Sequence, residues 1–588
     1  MLERVAGEVA RLRFLLRDPS AFAQVPDLAP GVAQLQGRLS EHSDRLRGRL
    51  TEALSDVLRG AAGAVARGDG AGAEARSQAA HLLHAFRADG SEARALETAR
   101  GALVGPAMRA AAAEAQAAEG AGGGGGGGVA GFFSRAAGIA ELVCQLLADE
   151  PAGAGDGADG GAGAGDGADG GRGGGALGRG RVLGECVLPE VGAVVGACFP
   201  GHTSPGKPRE FTRGYVGCVG FLRAAEGLCA SRAEVARLRE SGAEQELLGR
   251  WNVRAYAALR FQEVAAPVEA ALGRPLAGLA AAPAGGPAGL RWAALGRAWE
   301  ALGGCLPDEP GAWEAPHLAE RMLRTALQVV ARVAAHLADA AGGGDGGGGG
   351  GGGFTEGASA EDWVALAVDV SAFQRRAREE WAAEVARAAG PSERGAAAAA
   401  RAVEEGLAAL GPAAGAALSR AGALAVAEGG APIAQIKGVA ASLRMSARAA
   451  APGPPAPSPH VAAVAAPLRA LLASCAALGV AAPDADRLRH AVAAGVAAEY
   501  AAQVRDLMVS VARTESSLAL LKRGRGGPAA AEAGPGPGGG DNVRKVADQM
   551  RADAEHFVTL LEAEGVARDR LPEVGALLAA CDAGSAGA

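Results

Sequence analysis

The sequence predicts an all-α protein, an elongated rod of stacked antiparallel helical bundles with Gly/Pro-rich disordered linkers. Three observations predict it. Outside the glycine runs, apolar residues recur at three- and four-residue spacing, the period of one helix face. Nowhere is there the sustained β-branched alternation that a sheet needs, and Val191–Phe199 is the stretch nearest to a strand. Aromatic residues make up only 4% of the chain, so packing must rely on Leu, Val and Ala, as in stacked helices.

Taken in order, the blocks read as follows. Residues 1–119 form an N-terminal helical segment, in which Leu2, Val5, Val9, Leu12 and Leu16 make one stripe and Val32, Leu35, Leu39, Leu46 and Val57 a second. A poly-Gly linker at 120–128 precedes a short helix at 129–151, and the tandem AGAGDGADGG repeat places a Gly/Asp linker at 152–180. An aromatic-rich helical core spans 181–341, with stripes Phe261, Val264, Val268, Leu272 and Leu318, Met322, Ala326, Val330, Val333, Leu337. A second poly-Gly linker covers 342–358, an Ala-rich helical region 359–450 and a Pro-rich linker 451–459. In the helical region 460–523, Tyr500, Val504, Leu507, Val511, Leu518 and Leu521 keep a heptad-like seam over about three heptads. After a linker at 524–540, Asp541 offers an N-cap to a last helical region, 541–580, carrying Val546, Met550, Phe557 and Leu560. A chain of 588 residues is too long for one core and should split into ~3–4 packed units.

Composition removes several function classes. A formal charge of −7 lacks the electrostatic footprint of a nucleic-acid binder. Eight scattered cysteines with no CxxC read as small buried hydrophobes in a reducing compartment. The most membrane-like stretch, Ala396–Gly429, is interrupted by Arg401, Glu404, Glu405, Arg420 and Glu428, and no charge-free apolar span of about 18 residues occurs outside the glycine runs. The start has charge but no continuous hydrophobic region, so it is no secretory signal. The expectation is a cytosolic protein, peripheral where it meets a membrane. Of 58 basic residues only Lys207, Lys437, Lys522 and Lys545 are lysine; with the Ala/Gly excess this reads as the coding bias of a GC-rich genome and weakens any argument from Arg clusters.

Motifs for chemistry are few. Gly201-His-Thr-Ser-Pro-Gly206-Lys207-Pro208 has the GxxxxGK spacing of a phosphate-binding loop and follows an apolar run. The hydroxyl that ligates magnesium is replaced by Pro208, which also lacks the N–H the cradle uses, so the segment reads as a turn between helices. Asp156, Asp159, Asp166 and Asp169 recur with a period of ten in only two copies, too few for a calcium-binding repeat array. His81 and His84 lie one turn apart without companion ligands. No catalytic residue, cofactor-binding residue, cofactor or metal is predicted.

One block is distinctive. Phe211–Ala340 holds four of the six tryptophans (Trp251, Trp292, Trp299, Trp313) and two of the three tyrosines (Tyr215, Tyr256), marking a well-packed core or a buried interface. Phe211-Thr-Arg-Gly-Tyr215, then Phe221-Leu-Arg, resembles the F-x-x-x-Y…F-x-R element of the second-subunit family of the conserved oligomeric Golgi complex. Arg250-Trp251-Asn252-Val253-x-x-Tyr256-x-x-x-Arg260-Phe261-x-Glu263 is similar to that family's K-W-N-L-P-V-Y-F-Q-I-R-F-R-E segment, and Glu269-Ala-Ala-Leu272 continues it. Trp292-x-x-Leu295-x-x-x-Trp299 resembles its W-x-x-L-x-x-x-W helix, and Leu318-x-x-Arg321 with Leu323-x-x-x-Leu327-Gln328-Val329-Val330-Ala331-Arg332 its L-V-x-R-L-W-x-x-T-L-Q-I-L-A-R helix. Thinner but collinear likeness lies at Ala95–Pro106 and Tyr500–Lys522, while 350–490 matches weakly.

The resemblance implies a non-enzymatic tether subunit acting in intra-Golgi retrograde traffic and in maintenance of Golgi structure and glycosylation. It implies partnership with the other subunits of the complex and, through them, with SNAREs, Rab GTPases and golgins, at the cytosolic face of the Golgi membrane and without nucleic acid. The family begins with a further segment, an acidic motif and a long coiled coil, whose end falls where Met1 stands here. The competing readings are a helical scaffold or adaptor unrelated to membrane traffic, which internal repeats would favour, and an enzyme, which nucleotide binding lost on changing Lys207 would favour.

Overall fold

The computed structural model describes residues 1–17, 29–120, 128–148, 177–286, 289–306, 315–342, 353–389, 393–445, 455–525 and 540–586. All regular structure among them is helical, so the all-α prediction holds. The linkers expected at 120–128, 152–180, 342–358, 451–459 and 524–540 lie wholly or partly outside the described residues, as do the four repeat aspartates and Trp313. The chain divides into two compact units where length alone suggested more. The first is Met1–Arg260 with Pro307–Arg321; the second is Phe261–Leu306 with Met322–Ala588.

In the first unit the helices are α1 (Leu2–Leu15), α2 (Ala29–Arg67), α3 (Ala73–Ala88), α4 (Glu92–Ala99), α5 (Gly105–Gly120), α6 (Gly128–Leu147), α7 (Arg179–Val182), α8 (Leu188–Cys198), α9 (Pro208–Leu228), α10 (Arg232–Glu240) and α11 (Ala243–Leu248), followed by the start of α12 (Val253–Leu272). The buried row of α2 is Leu46, Leu50, Leu54, Leu58, Ala61 and Val65, spaced by three or four residues, whereas Leu35 of the expected stripe is exposed. Asp89 ends α3 and accepts from Arg13 of α1 and Arg47 of α2, both at 2.7 Å, fastening three helices through one buried carboxylate. Its hydrogen bond is the leading cause of the raised Arg47 pKa.

Val191–Phe199, the stretch nearest to a strand by composition, lies in helix α8 up to Cys198, with Phe199 as its C-cap. Val191, Val194 and Val195 fall at i, i+3, i+4 and are all buried, so a helix puts these β-branched residues on one face where a strand would split them. Two π-helical turns, Arg100–Val104 and Leu183–Val187, lead into α5 and α8. Each is followed by a proline at the second position of the next helix, Pro106 and Pro189. Proline has no N–H for the i−4 carbonyl, and the ladder widens, with Gly105 N–H donating to Arg100 and Leu188 N–H to Leu183.

The second unit holds the rest of α12, then α13 (Ala293–Gly304), the larger part of α14 (Pro316–Gly342), α15 (Ala360–Arg376), α16 (Ala382–Ala388), α17 (Glu393–Ala408), α18 (Gly411–Ile433), α19 (Ile436–Met445), α20 (His460–Leu478), α21 (Ala482–Arg525), α22 (Gly540–Ala563) and α23 (Pro572–Ala586). α22 begins at Gly540, one residue ahead of the expected cap Asp541, and α23 follows it. α18 packs on α15, α20 and α21, while α21, α22 and α23 pack together. α18 buries Ala413, Ala417, Ala421, Gly422, Ala425 and Gly429. At Gly429 a Cβ would stand 3.0 Å from the Val464 carbonyl oxygen, and at Gly495 2.7 Å from Val426 Cγ2. Genome bias therefore does not account for these glycines, because the helix contacts require them.

Buried carboxylates fasten this unit too. Asp362 and Asp369, two turns apart on α15, take backbone N–H groups of the segment between α12 and α13: Gly278 and Ala280 on Asp362, Arg291 and Trp292 on Asp369. Asp553 of α22 holds the Ser458 N–H at 2.7 Å and hydroxyl at 2.8 Å, with Gln549 completing the cluster.

By length and composition, α6, α20 and the stretch Arg394–Leu443 are apolar enough to cross a membrane. The criterion of a charge-free span passes over them, since Arg135 and Glu141 lie in α6 and Arg469 in α20.

Candidate functional site

The distinctive residues of the first unit build a core. Trp251, 3% exposed, precedes α12, and its indole N–H donates to the His202 carbonyl at 2.9 Å. Tyr256, one turn into α12, stacks on Phe211 of α9 with ring centroids 4.5 Å apart and 3° between planes, and its hydroxyl meets Thr212 Oγ1 at 3.2 Å. Phe133 lies 6.2 Å from Trp251 and 5.9 Å from Phe221, bringing α6 into the cluster. Gly214, within Phe211–Tyr215, lies against both His202 and Trp251: a Cβ there would lie 2.9 Å from the His202 carbonyl oxygen and 3.1 Å from Trp251 Nε1. Of the two readings the sequence offered, packed core or buried interface, these rings take the first. Burial pushes the Tyr215 hydroxyl pKa up.

The second unit uses the remaining residues in the same way. Trp292 packs against Phe354 and His336. Trp299 meets Phe373 edge-on and carries Arg376 at 4.8 Å over its face. Glu269 and Arg332, 63 positions apart, join α12 to α14 through a two-pronged ion pair of 2.6 and 3.1 Å.

The segments with a chemical look have structural partners. Gly201–Lys207 forms a short 3₁₀ turn and loop before α9, where Lys207 Nζ pairs with Glu210 at 3.0 Å. His81 Nδ1 lies 3.1 Å from Glu3 Oε2, and His84 is exposed. Among the described residues no three His, Cys, Asp or Glu side chains come together as a metal site. The eight cysteines form no disulfide, and six of them are buried. Burial pushes Cys144, Cys186 and Cys581 up to about 12 and Cys229 up to about 11, so these thiols stay protonated at neutral pH.

What the units leave uncovered is apolar helix surface. On α1 the buried residues are Ala6 and Val9, while Val5, Leu12, Phe14 and Leu15 face solvent, Phe14 at 76%. Leu35 of α2 is exposed as well. The seam of α21 divides: Tyr500, Val504, Leu507 and Val511 are buried, but Leu518 and Leu521 emerge together with Leu520. Periodicity found these stripes without showing which turns would stay bare, because that depends on where neighbouring helices end. Among the described residues the chain is thus an all-helical protein with ring-packed and small-residue cores and apolar helix turns left exposed.

The chain belongs to the family described as COG complex component, COG2, C-terminal, whose model matches residues 249–554 and so runs through the Ala-rich region. It is similar to conserved oligomeric Golgi complex subunit 2 of Arabidopsis thaliana, 39% identical over 93 residues, which is 16% of this chain and 12% of that protein. It is also similar to the subunit 2 of Homo sapiens, 35% identical over 146 residues, 25% of this chain and 19% of that one. The matched segments thus span less than a fifth of either relative. A solved circular tandem repeat protein with a novel repeat topology aligns over 100% of this chain and 96% of its own at 12% identity, but with a TM-score of 0.15 it carries no structural inference.

Proposed function

We propose that this protein is a non-enzymatic subunit of a Golgi tethering complex, acting in intra-Golgi retrograde vesicle traffic and thereby in Golgi structure and glycosylation. The observation that carries the reading is the family match over 249–554, which includes Trp251, Tyr256, Trp292, Trp299 and the Glu269–Arg332 pair. These residues hold the body together, as a tether requires of its scaffold. The protein works beside the other subunits of the complex at the cytosolic face of the Golgi membrane, as a peripheral protein. It contacts SNAREs, Rab GTPases and golgins through the assembly. Multivalent bridging suits such a body, since several weak contacts in one assembly raise the effective concentration of a captured vesicle. The exposed apolar turns of α1, α2 and α21 are the surfaces on which partner helices pack.

The test is purification of the affinity-tagged, full-length native protein from its own cells. Recovery of the other subunits of the complex supports the proposal. Recovery of a soluble, folded protein without any of them would sink it.

A further inference from the structure

The chain contains two Ser-Pro steps, Ser204-Pro205 and Ser458-Pro459, and no Thr-Pro step. The structure treats the two serines in opposite ways. Ser458 is 8% exposed, and Asp553 takes both its N–H, at 2.7 Å, and its hydroxyl, at 2.8 Å. A phosphate there would set a dianion against a fully buried carboxylate. Ser204 lies instead in the loop between α8 and α9, and no hydrogen bond engages its hydroxyl among the described residues. The neighbouring Thr203 differs, since its hydroxyl donates to the Pro200 carbonyl at 3.1 Å.

Ser204-Pro205-Gly206-Lys207 is a β-turn with proline at its second position, closed by one backbone bond from the Lys207 N–H to the Ser204 carbonyl at 3.2 Å. Ser204 has φ −81° and ψ 119°, the extended form that a following proline favours. Ser204 and Pro205 are partly exposed, and Gly206 and Lys207 are exposed. Protein kinases bind the acceptor serine in extended backbone. In their proline-directed class the pocket for the next residue offers no acceptor to an N–H, so proline, which has none, is selected. A basic side chain three residues on, here Lys207, completes what the cyclin-dependent members of that class read. Lys207 Nζ pairs with Glu210 at 3.0 Å, an exposed i, i+3 contact of the kind that contributes little and is readily exchanged.

We propose that Ser204 is a phosphorylation site for a proline-directed kinase, and that its phosphate takes Lys207 from Glu210. In the transfer the Ser204 oxygen bonds to the terminal phosphorus of ATP. The bond from that phosphorus to the bridging oxygen breaks, ADP leaves, and the hydroxyl proton passes to the kinase's catalytic aspartate. A β-turn holds its first and fourth residues within about 7 Å, so a phosphate on Ser204 lies within reach of the Lys207 ammonium. The site does not depend on the tethering role.

The full-length protein is incubated with ATP and a cyclin-dependent kinase, and its phosphopeptides are located by mass spectrometry. Phosphate should appear on Ser204 and not on Ser458, be lost in S204A and persist in S204T, with far-UV circular dichroism checking that each variant is folded. The initial rate should fall about tenfold in P205A and in K207Q. Phosphorus NMR then reads the pairing. In the phosphorylated native protein the phosphate should lose its second proton below the usual pH of about 6, and nearer to it in K207Q. No phosphate on Ser204, transfer to Ser458 in its place, or a rate unaffected by P205A overturns the site. A phosphorus titration that is the same in K207Q overturns the pairing with Lys207.

Discussion

In the first unit, the space between α6, α9 and the start of α12 is filled by rings: Phe133, Phe211, Tyr215, Phe221, Trp251 and Tyr256. In the second, α18 buries Ala417, Ala421, Ala425 and Gly429 among its neighbours, and at Gly429 it approaches the backbone of α20 at Val464. Both are buried helical contacts, but they are sensitive in opposite directions. A ring core is damaged by removing volume, which leaves a cavity its neighbours refill only in part. A small-residue core is damaged by adding volume, because a tight helix contact has nowhere to place it. The same helical period thus supports two packing regimes, and mutational sensitivity tells them apart.

The largest expected effect is Trp251→Ala. It removes the side chain that Phe133 and Tyr215 pack on and leaves the His202 carbonyl without its donor. The loss should be about 3–5 kcal/mol. Hydrogen exchange read by mass spectrometry should show deprotection at α6 and α9, with α18–α21 unchanged. Deprotection centred on α18–α21 would break the distinction between the cores.

The converse change is Gly429→Val, with Gly429→Ala as a milder version. A Cβ 3.0 Å from the Val464 carbonyl oxygen must push α20 away, at a cost of about 1–3 kcal/mol. Deprotection should then appear at α18 and α20 while the Trp251 region keeps its protection. A neutral Gly429→Val would show that α18 and α20 can separate freely, and that small residues are not what sets their spacing.

The two cores were not equally legible in the sequence. Trp251 and Tyr256 stand out against a chain poor in aromatics, so both their importance and their burial could be read. The α18 contact could not, because alanine occurs on every face of that helix and gives no contrast between inside and outside. On α1 the stripe through Val5, Val9 and Leu12 had the right period but the wrong centre, since Ala6 is buried while Val5 and Leu12 are not. The fastening carboxylates were hidden for another reason: Asp89, Asp362, Asp369 and Asp553 take partners 42 to 95 positions away, and only Asp362 carries a local mark, the capping box it forms with Ser359, which does not foretell its distant partners.

Asp362 sharpens the comparison through pH. Burial works to raise its pKa, but hydrogen bonds from the Ala280 and Ser359 N–H groups, the Ser359 hydroxyl and the Gly278 N–H outweigh it and hold the carboxyl below its ordinary value of 3.8. A group whose pKa is depressed by folding stabilises fully above the unfolded value and loses that stabilisation as pH falls through the folded one. Asp362→Asn should therefore cost about 1–3 kcal/mol near neutrality. The gap to the native protein should narrow as pH drops below 3.8. Urea unfolding followed by hydrogen exchange in the second unit reads this gap at each pH. A gap that stays constant across that range would remove Asp362 as an ionised fastener of the segment before α13.

The smallest effect is expected where partial exposure weakens an interaction that looks strong on paper. The Glu269–Arg332 pair has two contacts of 2.6 and 3.1 Å and joins helices distant in sequence, yet both side chains are nearly half exposed. Water screens such a pair, and ordering two long side chains offsets much of its attraction, leaving about 0.2–1 kcal/mol. Arg332→Gln should fall in that range, and a double-mutant cycle with Glu269→Gln isolates the coupling from any change in packing of the arginine stem. Added salt should shrink the coupling further, because an exposed pair is screened where a buried one is not. A coupling several times larger, or one indifferent to salt, would mean that this ion pair fastens α12 to α14 as the buried carboxylates fasten their segments.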